Sequence, residues 1–179
     1  MQEIIIKFSK KKLFVMLFVS IFFTYYSTIH VSNPERFISL RRNPNENTII
    51  FMGCLGVCVF GISSISIFLK LFNKKPGLVI NSDGIIFHAS ANTLGLIKWK
   101  DVTDIKTYKF YNQNYILIMV KNPKEYLNKF KHVKKFLYKR NLNNNGTPIF
   151  LSSAGLQCNS KEMEKLLKEE FNRYQSISK

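Results

Sequence analysis

Apolar positions along this chain gather into two long blocks and then scatter into short runs separated by turn residues. The blocks, residues 13–31 and 48–69, contain no Asp, Glu, Lys or Arg. As helices rising 1.5 Å per residue they would measure about 29 Å and about 33 Å, matching a hydrocarbon core of roughly 30 Å. The pattern therefore predicts two transmembrane helices, at 13–31 and 48–72, joined by a polar loop at 32–47 that holds Pro34 and Pro44. A basic segment, 1–12, precedes this hairpin. Residues 73–179 form one polar remainder, large enough for a single small domain with its own core.

Within that remainder the pattern is α+β. Residues 77–80 and 84–88 flank Asn81-Ser82-Asp83-Gly84, where the Asp-Gly pair predicts a hairpin because its turn needs positive φ. Further β-branched and aromatic runs at 94–99, 102–110 and 115–120 extend it into an antiparallel meander. Asn122-Pro123-Lys124-Glu125 then offers a helix cap, a proline at the first helical position and a glutamate three residues past the cap. One basic amphipathic helix is predicted over 123–141, with Tyr126, Leu127, Phe130, Val133, Leu137 and Tyr138 on its apolar face. A strand over 147–152 follows. The last helix opens at Asn159 with Glu162 as capping partner, and Met163, Leu166, Leu167, Phe171 and Tyr174 share its inner face.

Charge adds an orientation. The formal net charge is +16, with Lys7, Lys10, Lys11 and Lys12 before the first block and Lys70, Lys74 and Lys75 after the second. Between the blocks Arg36, Arg41 and Arg42 are largely offset by Glu35 and Glu46. Short Lys- and Arg-rich flanks stay on the cytoplasmic side, so both termini are expected in the cytoplasm and the loop outside. A cleaved signal sequence competes for the first block, but that run is long and ends without an alanine at which to cut, which favours an uncleaved anchor.

Three cysteines give no disulfide framework, since Cys54 and Cys58 lie in the second block and Cys158 stands alone in the polar domain. Gly53, Gly56, Gly61, Ser63 and Ser64 form a broad small-residue side on the second span; it is expected to pack on the first span, with a homo-oligomer seam as the alternative. The absence of charged residues inside either span argues against a pump or channel.

The run Lys75-Pro76-Gly77-Leu78-Val79-Ile80-Asn81 after a span, then Asp83-Gly84-Ile85-Ile86, Gly95-Leu96-Ile97-Lys98-Trp99-Lys100-Asp101-Val102 and Gly146-Thr147-Pro148-Ile149, resembles an uncharacterised bacterial family of small two-span membrane proteins with a cytoplasmic PH-like domain. The resemblance implies a bent antiparallel sheet or small barrel, closed at one end by the C-terminal helix, with Trp99 packed under the sheet. It also implies a bacterial cytoplasmic membrane location. The helix over 123–141 is additional to a minimal PH fold. Asn81, Ser82 and Asp83 occupy the first turn, where phosphoinositide-binding members carry basic residues.

No constellation nominates a catalytic, cofactor-binding or metal-ligating residue. His88 and His132 lack neighbouring ligands at metal spacing, and the glycines form neither a phosphate loop nor a dinucleotide loop. Lysines of the basic domain can be merely solvated, or can meet anionic lipid headgroups at about 1 kcal/mol each, or nucleic acid, for which no base-reading motif is present. The expectation is a non-catalytic, membrane-anchored interaction module that binds a protein or the anionic membrane surface. Lys131, Lys135 and Lys139 are its candidate lipid contacts. An accessory subunit of a membrane transport or enzyme complex, or an enzyme, is the alternative.

Overall fold

The structure is a computed structural model that describes residues 3–38, 45–88, 95–111, 113–130 and 132–177. The chain divides into two compact units, Lys10–Lys74 and a second made of Met1–Ser9 with Lys75–Lys179.

The first unit is an α-helical hairpin of α1 (Lys10–Ser32) and α2 (Glu46–Leu71), with a 3₁₀ turn at Pro34–Phe37 after α1. Both helices are long and apolar enough to cross a membrane, and side chains such as Phe14, Phe18, Phe22, Phe51, Ile62 and Ile65 are uncovered by the protein itself. Small residues let the backbones approach. A Cβ on Gly53 would lie 2.8 Å from Val31 Cγ2, and one on Gly56 would collide with the Ser27 side chain. Ser20 Oγ donates to the Phe60 carbonyl at 2.9 Å, and Ser64 Oγ donates to Ser20 Oγ at 3.0 Å. Of the small residues read as one side, Gly53, Gly56 and Ser64 face α1, while Gly61 meets nothing within 4 Å.

The second unit is α+β. Its first sheet has the order β1-β2-β3-β4, all antiparallel, from β1 (Ile4–Ile6), β2 (Leu78–Ile80), β3 (Gly84–Phe87) and β4 (Leu96–Lys98). The second has the order β5-β6-β7, from β5 (Val102–Phe110), β6 (Gln113–Val120) and β7 (Phe150–Leu151). Between β6 and β7 come α3 (Pro123–Asn128) and α4 (His132–Asn145), and α5 (Ser160–Ile177) ends the chain. Asn159 and Glu162 cap α5 reciprocally, each side chain accepting the other's backbone N–H at 2.9 Å. Met163, Leu167 and Phe171 of α5 are buried, whereas Leu166 and Tyr174 are half-buried. Trp99 is 1% exposed, donates Nε1–H to the Asn81 carbonyl at 2.8 Å, and stacks with Phe171 and Tyr174.

Several sequence expectations change. Among the described residues there is no closed barrel: the strands form two sheets, because the ladder stops at the 3₁₀ turn Trp99–Asp101 and β7 pairs over only two residues. At the opposite corner a lone Phe8–Leu156 bridge links the N-terminal segment to the chain beyond β7. The segment read as a basic flank thus supplies a strand, β1, to the sheet. The single basic helix is two, interrupted after Asn128, and α4 runs on to Gly146, whose φ of +74° makes the left-handed stop while its N–H bonds the Leu142 carbonyl. The hairpin at Asn81 forms as expected. Gly84 is needed there chiefly because a Cβ would collide with the Ile97 carbonyl oxygen.

Candidate functional site

Of the three lysines singled out by the sequence, Lys135 and Lys139 are exposed on α4, and Lys131 lies outside the described residues. What attaches α4 to the domain is aromatic. Tyr138 stacks on Phe130 with centroids 3.8 Å apart, then meets Phe150, which in turn meets Tyr115 of β6. One face of α4 is thereby fixed to the second sheet. Opposite it stand Phe136 and Arg140, with Lys139 and Lys135 exposed along one flank, Lys135 at the i−3 position from Tyr138. Phe136 is 72% exposed, with Lys135 before it and Lys139 and Arg140 at its i+3 and i+4 positions, the neighbours on a helical surface.

This helix contrasts with α5. Glu164 accepts from Lys168 at 2.7 Å and Lys165 pairs with Glu169, both at i,i+4, and α5 carries Glu162 in its first turn. The Glu164 carboxyl is held below its ordinary value by Lys168 first and by a bond from Thr107 second. By contrast α4 has no acidic residue, starts with His132, Lys134 and Lys135 near its N-terminus, and sets Lys135 against Lys139 at i,i+4. Each feature opposes the helix dipole or repels along the face. None of the ion pairs among the described residues includes an α4 residue.

Two other places have some chemistry. Tyr111, 87% exposed, tops the β5–β6 hairpin at a φ of +51°, an unusual conformation for an aromatic residue. Behind α3, Tyr126 donates its hydroxyl to Asp101 at 2.9 Å beneath Lys129, whose ammonium lies 4.3 Å from the ring centroid. Burial, then Asp101, pushes the Tyr126 phenol above its ordinary value. Desolvation, then Lys75, holds His88 below its ordinary value.

A groove of about 420 Å³ runs beside Ile5, Cys158, Glu162 and Lys165, and another of about 620 Å³ beside Trp99, Lys121 and Tyr174. Among the described residues, no three of His, Cys, Asp or Glu converge to hold a metal ion. Glu170 is buried on α5, one oxygen bonded by Arg173 at 3.0 Å and the other without a partner among the described residues, but it lines neither groove.

Phe136 escaped the sequence reading because it lies off the apolar stripe. Its available signal was an aromatic residue set among lysines on the polar side of a helix. Fold and surface together define an α+β domain joined at two points of one sheet to a long apolar hairpin, with an unbalanced basic helix on its exterior. No family model, curated protein or solved structure matches the chain.

Proposed function

We propose that this protein is a non-catalytic, membrane-anchored interaction module. Its α1–α2 hairpin crosses the bacterial cytoplasmic membrane and holds a PH-like domain on the cytoplasmic side, where α4 engages anionic lipid headgroups. The PH-like reading rests on the four-plus-three arrangement of antiparallel strands with a C-terminal helix against Trp99. The carrying observation is that β1, before the hairpin, pairs with β2, after it. Residues on both sides of the hairpin belong to one folded unit, so they must lie on one side of the bilayer, and the flanking lysines select the cytoplasmic one.

Only residues 7–9 separate β1 from α1, and only 72–77 separate α2 from β2. On this reading, links this short tether the domain at the membrane surface. Anionic headgroups are then a permanent neighbour of a strongly basic domain. The test is hydrogen exchange on the full chain in nanodiscs of phosphatidylcholine with and without phosphatidylglycerol. Amides of α4 gain protection in the anionic discs, and Lys135→Gln/Lys139→Gln removes the gain. Equal exchange in the two discs overturns the lipid reading and leaves a protein partner as the explanation of the domain.

A further inference from the structure

We infer that Phe136 is a membrane-inserting side chain: α4 lies on an anionic bilayer with the Phe136 ring among the upper acyl carbons and Lys135, Lys139 and Arg140 at the phosphate level around it. This deepens the lipid reading above and rests on it, since it names the part of the bilayer that is bound and the residue that binds it.

In water α4 is a helix built against its own stability. Its N-terminal turn is basic where the dipole favours acids, its lysines repel at i,i+4, and it exposes a large aromatic ring. By contrast α5 has Glu162 in its first turn and offsets its lysines with the Glu164–Lys168 and Lys165–Glu169 pairs, although Lys161 and Lys165 also stand at i,i+4. A helix with no acid to offset its lysines, beside one that pairs lysines with glutamates, marks a surface shaped by something other than folding.

The chemistry of the face identifies what that is. Cations alone would suit any polyanion, but an exposed ring bordered by cations suits a boundary where phosphates overlie hydrocarbon, because the charges stay at the headgroups while the ring leaves water. Tyr138, stacked on Phe130 and tilted against Phe150, holds another side of α4 to the domain, so Phe136 has no place in the domain's own core. The short links to the hairpin keep the bilayer in reach throughout.

Phe136→Trp in the full chain provides the probe, with the wild type measured alongside to subtract Trp99, which is buried. The protein is reconstituted into phosphatidylglycerol–phosphatidylcholine bilayers carrying a nitroxide either on the headgroup or on a shallow acyl carbon. A ring seated about 5–10 Å below the headgroup boundary loses roughly half its emission or more to the shallow acyl quencher. Most of that quenching disappears in pure phosphatidylcholine and in the added Lys135→Gln/Lys139→Gln/Arg140→Gln variant.

Quenching from the headgroup alone overturns insertion while leaving the electrostatic reading intact. Quenching from neither position overturns both and directs the face to a soluble anionic partner. Acyl quenching of equal size in neutral bilayers refutes the role given to the three cations.

Discussion

Ile6 stands opposite Leu78 in an antiparallel pair although the whole α1–α2 hairpin lies between them in the chain. The sheet is therefore complete only when the segment before α1 folds together with the segment after α2. Ile6 is buried, and Leu78 is completely so. Ile6→Ala is expected to cost about 2–4 kcal/mol, as buried aliphatic truncations do. Limited proteolysis of the full chain in detergent checks this: cleavage within the α+β unit accelerates in the variant, and an unchanged rate would show that β1 is dispensable.

Trp99 joins the first sheet to α5 through its bond to Asn81 and its stacking on Phe171 and Tyr174. Trp99→Ala should lose about 3–5 kcal/mol, and Trp99→Phe distinctly less because it keeps the ring contacts. Urea unfolding of the detergent-solubilised chain measures both. Equal stability of the alanine variant and the wild type would mean that α5 is held elsewhere.

In the hairpin, two glycines of one helix make opposite predictions. Gly56→Leu forces a side chain into Ser27 and should destabilise the α1–α2 pair by about 1–3 kcal/mol, the usual penalty of overpacking. Gly61→Leu meets open space and should be near neutral. Thermal stability in detergent separates them, and equal effects would contradict the seam between the helices.

Tyr126 gives a pH signature. Burial and Asp101 raise its folded pKa, so its contribution is fully present below the unfolded value of about 10 and is lost as pH rises above that point. Tyr126→Phe removes the bond to Asp101 and should cost about 1–3 kcal/mol near neutral pH. It should also flatten the alkaline fall in stability beyond pH about 10. Denaturant midpoints measured between neutral and strongly alkaline pH test this, and parallel curves for the two proteins would contradict the assignment.

How much could be read in advance follows from the range of the interactions. The two apolar helices, the Asn159–Glu162 cap and the turn at Asn81 are local, so their residues announce them. The strand β1 was not legible, because three isoleucines before a lysine cluster look like the edge of a span until their partner, Val79 and its neighbours, is known. The open corner between the sheets depends on the turn at Trp99, which a pattern of alternating residues continues straight through. At α4 the lysines were legible as a basic face, whereas Phe136 became noticeable only once Tyr138 was seen to occupy the inner side.

The topology that joins fold to membrane is open to one direct measurement. In a full chain with Cys54, Cys58 and Cys158 replaced by serine or alanine, single cysteines are placed at Lys7, Arg36 and Ser176, and intact cells are treated with a membrane-impermeant thiol reagent. The pairing of β1 with β2 requires positions 7 and 176 to behave alike, and the lysine flanks require them to be protected while position 36 reacts. Labelling of position 7 without position 176, or of 176 without 7, would place the two halves of the sheet on opposite sides of the membrane and contradict a single anchored domain.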